Sequence, residues 1–138
     1  MKQSMPNFGQ CVPLLVYKDI PTAHDFLVNV FGFEAGGVQY NAQGQAVHGE
    51  VRIGGTALWL HRVTDEHELA SPLSGVSGSG LVVFVDNVDE HYRRVQTAGV
   101  MTASQPTDQL YGQREYGVRD PEGHRWWFSM PIAAGATI

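Results

Sequence analysis

His48, Glu50 and Arg52 stand at alternate positions of a short run in which Val47, Val51 and Ile53 occupy places between them. A period of two puts the three polar groups on one face of a strand and the aliphatic ones on the other. An imidazole, a carboxylate and a guanidinium arranged this way either line a cleft or pair with charges on the neighbouring strand. His61 lies at the end of the next β-prone run, and a lone strand histidine is more often structural than a base. Trp59 and Trp127 each fall in a short β-prone stretch. Indoles in such places either fill a core or offer flat π faces to planar or cationic molecules. Nucleophilic and phosphate chemistry have no carrier: there is no G-x-S-x-G elbow, P-loop or GxGxxG. The Ser-Gly run at 77–80 precedes a strand, where a phosphate cradle needs a helix N-terminus.

The elements that would position these residues follow from apolar spacing. Residues 11–17 (CVPLLVY) read as a buried strand ended by Lys18-Asp19. Ala23, Phe26, Leu27, Val30 and Phe31 then fall three and four apart, which predicts a helix between the Asp19-Pro21 start and Gly32. Three strands are expected at about 38–42, 46–53 and 56–63, the last two joined by Gly54-Gly55. Residues 64–80 are rich in Ser, Gly and Pro and read as a linker or mobile flap. The order then repeats: a strand at 81–85, a helix carrying Val88, Tyr92, Val95 and Ala98, and strands near 100–103, 114–119 and 124–130. An offset of 68 carries Asp19 onto Asn87, Gly55 onto Gly123 and Trp59 onto Trp127. One offset shared by landmarks in corresponding elements points to an internal duplication. The fold class is therefore α+β, with two pseudo-symmetric βαβββ modules forming a curved mixed sheet around a cleft. The modules span about 8–63 and 78–132 of a single domain covering 1–138.

A formal charge of −5 without a basic stripe argues against nucleic acid. The longest apolar runs fall far below the roughly 20 residues that span a bilayer. Gln3, Ser4, Pro6 and Asn7 form no apolar leader. A cytoplasmic location is expected, with no membrane partner. Cys11 is alone, so no intrachain disulfide forms, and its apolar neighbours suggest an inert core thiol.

The second half, VDNVDEHYRRVQTAG from Val85 to Gly99 and YGQREYGVRDPEGHRWWF from Tyr111 to Phe128, resembles the vicinal-oxygen-chelate superfamily, most closely its glyoxalase/bleomycin-resistance branch. The first half matches through its strand, Asp19, the helix and FGFE from Phe31 to Glu34. In metal-dependent members the resemblance places four His, Gln or Glu ligands at positions that here hold Val12, Gly80, Trp59 and Trp127. None of these side chains can coordinate an ion, which needs several imidazole or carboxylate donors. No metal and no other cofactor is therefore expected, and metal-dependent glyoxalase, dioxygenase and fosfomycin-transferase chemistry is disfavoured.

Strand parity places Ala57, Trp59, His61, Arg125, Trp127 and Ser129 beside the vacated positions, with Leu14, Val16, Val82 and Phe84 from the first strand of each half. The expected ligand-binding set is Trp59, Trp127, Phe84, His61, Arg52, Arg125 and Tyr111. Resemblance to a branch with a His two residues before an acidic residue makes His48 and Glu50 a candidate proton-transfer pair, with His61 a further catalytic candidate. His24, His67 and His91 are expected in solvent, and His124 within the turn motif. The resemblance gives Arg114 a role in holding the dimer or the turn. The reading is a metal-independent protein, similar to bleomycin-resistance proteins, that sequesters a small aromatic or cationic molecule. It is expected to act as a homodimer, with loops 64–80 and 104–113 closing over the ligand. A glyoxalase-like lyase or isomerase, with an atypical metal site, is the alternative.

Overall fold

Asp19 and Asn87, 68 residues apart, do the same work. Each ends a strand and turns its side-chain oxygen onto a backbone N–H three residues on, Thr22 at 3.1 Å and Glu90 at 3.0 Å. A side chain that satisfies an orphan amide of the first turn starts a helix there. Helix α1 (Ile20–Asn29) follows strand β1 (Leu14–Tyr17), and helix α2 (Val88–Thr97) follows β5 (Gly80–Phe84). The computed structural model describes residues 5–66, 68–75 and 77–132. His67 and the residues before Met5 therefore lie outside the described residues.

The first module continues with β2 (Glu34–Tyr40), β3 (Ala46–Ile53) and β4 (Thr56–Arg62), and the second with β6 (Thr107–Asp108), β7 (Gln113–Arg119) and β8 (Arg125–Pro131). Each builds a four-stranded mixed sheet, in the orders β1-β4-β3-β2 and β5-β8-β7-β6. The registers repeat as the sequence offset requires: Leu14 lies opposite Trp59, and Val82 opposite Trp127. The duplication is therefore structural. One slip breaks it. Glu50 faces Trp59, whereas Gly117 rather than Val118 faces Trp127.

Leu58 and Leu60 of β4, Val51 of β3, and Trp126 and Phe128 of β8 turn toward the helices and are buried in one cluster shared by both modules. Phe31, just beyond α1, meets Trp126 and Phe128 edge-on at 5.5 and 4.9 Å. Polar groups fasten the same junction. Three successive carbonyls at the end of α1, those of Asn29, Val30 and Phe31, accept from Arg94 Nη2, Arg94 Nε and His91 Nε2 of α2. One helix thus caps the C-terminal orphan carbonyls of the other.

The Asp120–His124 turn makes the second fastening. Asp120 accepts from the Tyr17 hydroxyl at 2.5 Å and from Trp126 Nε1 at 3.1 Å. Glu122 accepts from the backbone of Lys18 and Asp19 and from the Ser71 hydroxyl, and His124 Nε2 donates to Val16 O. These carboxylates are buried, and their hydrogen bonds offset the cost of removing charge from water.

Five expectations are corrected. β1 begins at Leu14 rather than Cys11, because Pro13 has no N–H to extend the ladder. Its carbonyl still accepts from Trp59 N, and Cys11 is exposed rather than in the core. Residues 100–103 form no strand. The Thr102 hydroxyl bonds the backbone of Arg119, and only at Ser104 does a backbone amide reach β7, at Gly117 O, beside the Ser104 hydroxyl. The segment at 64–80 is not a free flap: Thr64 and Leu69 bridge, a 3-10 turn spans Pro72–Ser74, and buried Ser71 is tied to Glu122. His24 and His91 are not solvated. His24 is buried and accepts from Gly37 N, and half-buried His91 bonds Tyr116 and Phe31. Among the described residues no helix is long and apolar enough to cross a membrane.

Candidate ligand-binding face

With Leu58, Leu60, Trp126 and Phe128 spent on the core, strand alternation leaves Trp59, His61, Trp127 and Ser129 on the opposite face. That face stays open. Leu14 and Trp59 are each 40% exposed, Val82 56% and Phe84 63%. It is apolar along β1 and β5 and polar along β3 and β7.

The two indoles are held differently. Trp59 Nε1 donates to Glu50 Oε1 at 2.9 Å across the β3–β4 ladder, and His48 meets the indole edge-on with centroids 5.4 Å apart. Glu50 also lies 3.8 Å from Arg52, whose guanidinium bonds Gly55 O. The structure thus pairs Glu50 with Trp59 and Arg52 rather than with His48, its expected proton-transfer partner. Trp127 has no such acceptor among the described residues. A Cβ on Gly80 would stand 2.4 Å from its Cζ3, and a Cβ on Gly117 3.0 Å from its Nε1. The indole therefore lies flat across β5, β8 and β7, over two positions that have no side chain. Trp127 is half-buried there.

Beside Trp127, Glu115 accepts from the Ser129 hydroxyl at 2.9 Å and from the Tyr111 hydroxyl. The hydrogen bond to Glu115 and its negative charge raise the Tyr111 phenol above its ordinary range. Trp127, Glu115, Gly117, Ser104, Thr107 and Gln109 surround a cavity of about 410 Å³. Phe84 and Arg52 instead line a groove of about 520 Å³ between the modules, with Phe33, His91 and Arg94. Arg125 lies beside the Asp120–His124 turn. Trp59 and His61 stand on the open face of the first module. The seven expected ligand-binding residues therefore occupy several neighbouring surfaces of one chain, not one pocket.

Arg114 faces away from this site. It binds Asp89 of α2 through two nitrogens at 2.9 and 3.1 Å, and Asp108 of β6 at 2.9 Å. It fastens helix to sheet, not the turn. Its hydrogen bonds hold the Asp89 carboxyl below the usual carboxylate range and push the guanidinium further up. Sequence reading missed Gly117 and Glu115 as parts of the site. Their signal lay in the alternation Gln113, Glu115, Gly117, obscured by the one-residue slip of β7. Among the described residues no group of three or more His, Cys, Asp or Glu could hold a metal ion.

Two βαβββ modules, each presenting an aromatic open face, define a duplicated fold of the glyoxalase type. The chain belongs to the Glyoxalase/Bleomycin resistance protein/Dioxygenase superfamily, whose sequence profile matches residues 8–128. It is similar to TioX from Micromonospora sp. ML1, with 35% identity over 91% of this chain and 100% of that one, at a TM-score of 0.72. An uncharacterized protein of Mycobacterium tuberculosis is 30% identical over 124 residues, 87% of this chain and 73% of that protein. The bleomycin-binding protein of Streptomyces verticillus, solved with copper(II)-bleomycin, is 22% identical over 94% of this chain and 99% of that one. Its TM-score of 0.65 makes this a likeness of fold.

Proposed function

We propose that this protein binds and sequesters a small planar aromatic molecule, preferably a cationic one, by stacking it on the open face. The single observation that carries this reading is the flat Trp127 indole over Gly80 and Gly117. A π face presented this way is a stacking platform needing no rearrangement on binding. Glu115 beside Trp127 and Glu50 on Trp59 favour positive charge on the ligand. The copper(II)-bleomycin complex of the Streptomyces verticillus protein supports a ligand of this kind. The exposed apolar residues Leu14, Val82 and Phe84 favour a homodimer, in which two open faces shelter the ligand from both sides.

Titration with a planar aminoacridine dye and with bleomycin, followed by calorimetry with and without chelator, tests the reading. Binding that persists in chelator and weakens about tenfold or more in Trp127→Leu is expected. Indifference to Trp127→Leu and Trp59→Leu, or dependence on an added ion, overturns it. The latter outcome favours a glyoxalase-like lyase or isomerase using His48, Glu50 or His61.

A further inference from the structure

Two histidines occupy opposite positions of one rung on the open side of the first module. His48 of β3 is the direct ladder partner of His61 of β4, one same-face rung beyond Glu50 and Trp59. The hairpin closes at Ile53 and Thr56 around Gly54-Gly55. Counting from that hydrogen-bonded closing rung, Arg52–Ala57, Glu50–Trp59 and His48–His61 are rungs of the non-hydrogen-bonded kind. Side chains approach closest on such rungs.

His61 Nδ1 lies 2.7 Å from Arg62 O. A carbonyl only accepts, so Nδ1 carries the proton and Nε2 keeps its lone pair. A ring N–H held by a backbone carbonyl, with the other nitrogen free, is how metal-ligating histidines are oriented. His48 makes no hydrogen bond to another described residue and touches Trp59 only through its ring. Both rings are half-buried and reach solvent. One same-face rung away stands the Glu50 carboxylate, 3.8 Å from the Arg52 guanidinium.

We propose that His48 and His61 form a two-imidazole chelate for a borderline divalent ion: copper(II), nickel(II) or zinc(II). Imidazole nitrogen selects these over magnesium and calcium, with copper tightest. The pair is separate from Val12, Gly80, Trp59 and Trp127, the positions to which the family resemblance assigns ligands. Two protein donors leave coordination positions open for water.

Titration of the untagged chain with each ion alone, with electron paramagnetic resonance of the copper form, tests this. One ion per chain, copper tightest, and a hyperfine pattern of two imidazole nitrogens are expected. His48→Ala and His61→Ala should each weaken copper binding about a hundredfold, because a chelate loses its advantage with either arm. Unchanged thermal midpoints in these variants will show that donors were lost and not the fold. No binding at micromolar ion, a single-nitrogen pattern, or binding that survives either substitution overturns the proposal. Ion affinity should be retained in Trp127→Leu, and dye affinity of the unaltered chain should be the same with and without chelator, so failure of this inference is distinguishable from failure of the stacking reading.

Discussion

Gly80 lies beneath Trp127, so close that a single added methyl group would stand 2.4 Å from the ring atom Cζ3. These are two of the four positions at which the superfamily resemblance places metal ligands. A donor side chain at 80 and a flat indole at 127 exclude one another sterically. The flat indole thus requires glycine at 80. Gly80→Ala should tilt the indole off the sheet, at the roughly 1–3 kcal/mol typical of overpacking. Dye affinity should fall as it does in Trp127→Leu, and the tryptophan emission maximum should shift. Gly78→Ala, where a Cβ meets nothing within 4 Å, is the control.

Glu50 anchors Trp59 through Nε1 and supplies charge, and the two roles separate in Glu50→Gln. The amide oxygen still accepts from the indole, so ring placement is kept. Affinity for a cationic planar dye should drop several-fold, and its salt dependence should flatten as the charge is removed. A neutral dye of the same shape should bind as before. Equal losses for both dyes would mean that Glu50 acts only as an anchor.

His91 is a titrating fastener between modules. Burial and the neighbouring Arg94 pull its pKa below the ordinary 6.5, opposed by the bond to Phe31 O. The unfolded chain therefore takes up this proton at higher pH than the folded one. The stability His91 contributes is complete above about pH 6.5 and is lost as pH falls from there through the lowered folded value. Urea midpoints between pH 8 and pH 5 should decline, and His91→Gln should flatten the part of the decline that belongs to this residue. An unchanged profile in the variant would assign the decline to other groups.

The sequence made the duplication legible because caps and turn glycines are local signals. Asp19, Asn87, Gly55 and Gly123 are read from their neighbours alone. Strand parity likewise put Trp59 and Trp127 on one face. What depended on contacts distant in sequence was not legible. His91 looks like a solvated helix residue until α1 of the other module is packed on it. Glu50 looks like the partner of His48 until the Trp59 indole claims its oxygen. The 100–103 strand failed because Thr102 meets β7 through its hydroxyl, which apolar periodicity does not register. The slip of β7, which seats Gly117 under Trp127, has no mark in the 68-residue offset.

Tyr17 and Asp120 join residues 103 apart and decide how firmly the modules are locked. Burial, then the Asp120 charge, raises the phenol far above its ordinary range, so the hydroxyl remains a donor at any working pH. Tyr17→Phe removes one donor from a buried carboxylate that still accepts from Trp126 Nε1 and from the backbone of Glu122 and His124. A hydrogen bond to a charged group contributes about 1.5–3 kcal/mol, and a loss in that range is expected in urea denaturation. The more exposed Arg114–Asp89 pair has less leverage, and Arg114→Lys should cost no more than about 1 kcal/mol despite losing its two-pronged contact. If Arg114→Lys destabilised more than Tyr17→Phe, the stability of the chain would rest on the outer helix–sheet contact and not on the buried turn between modules.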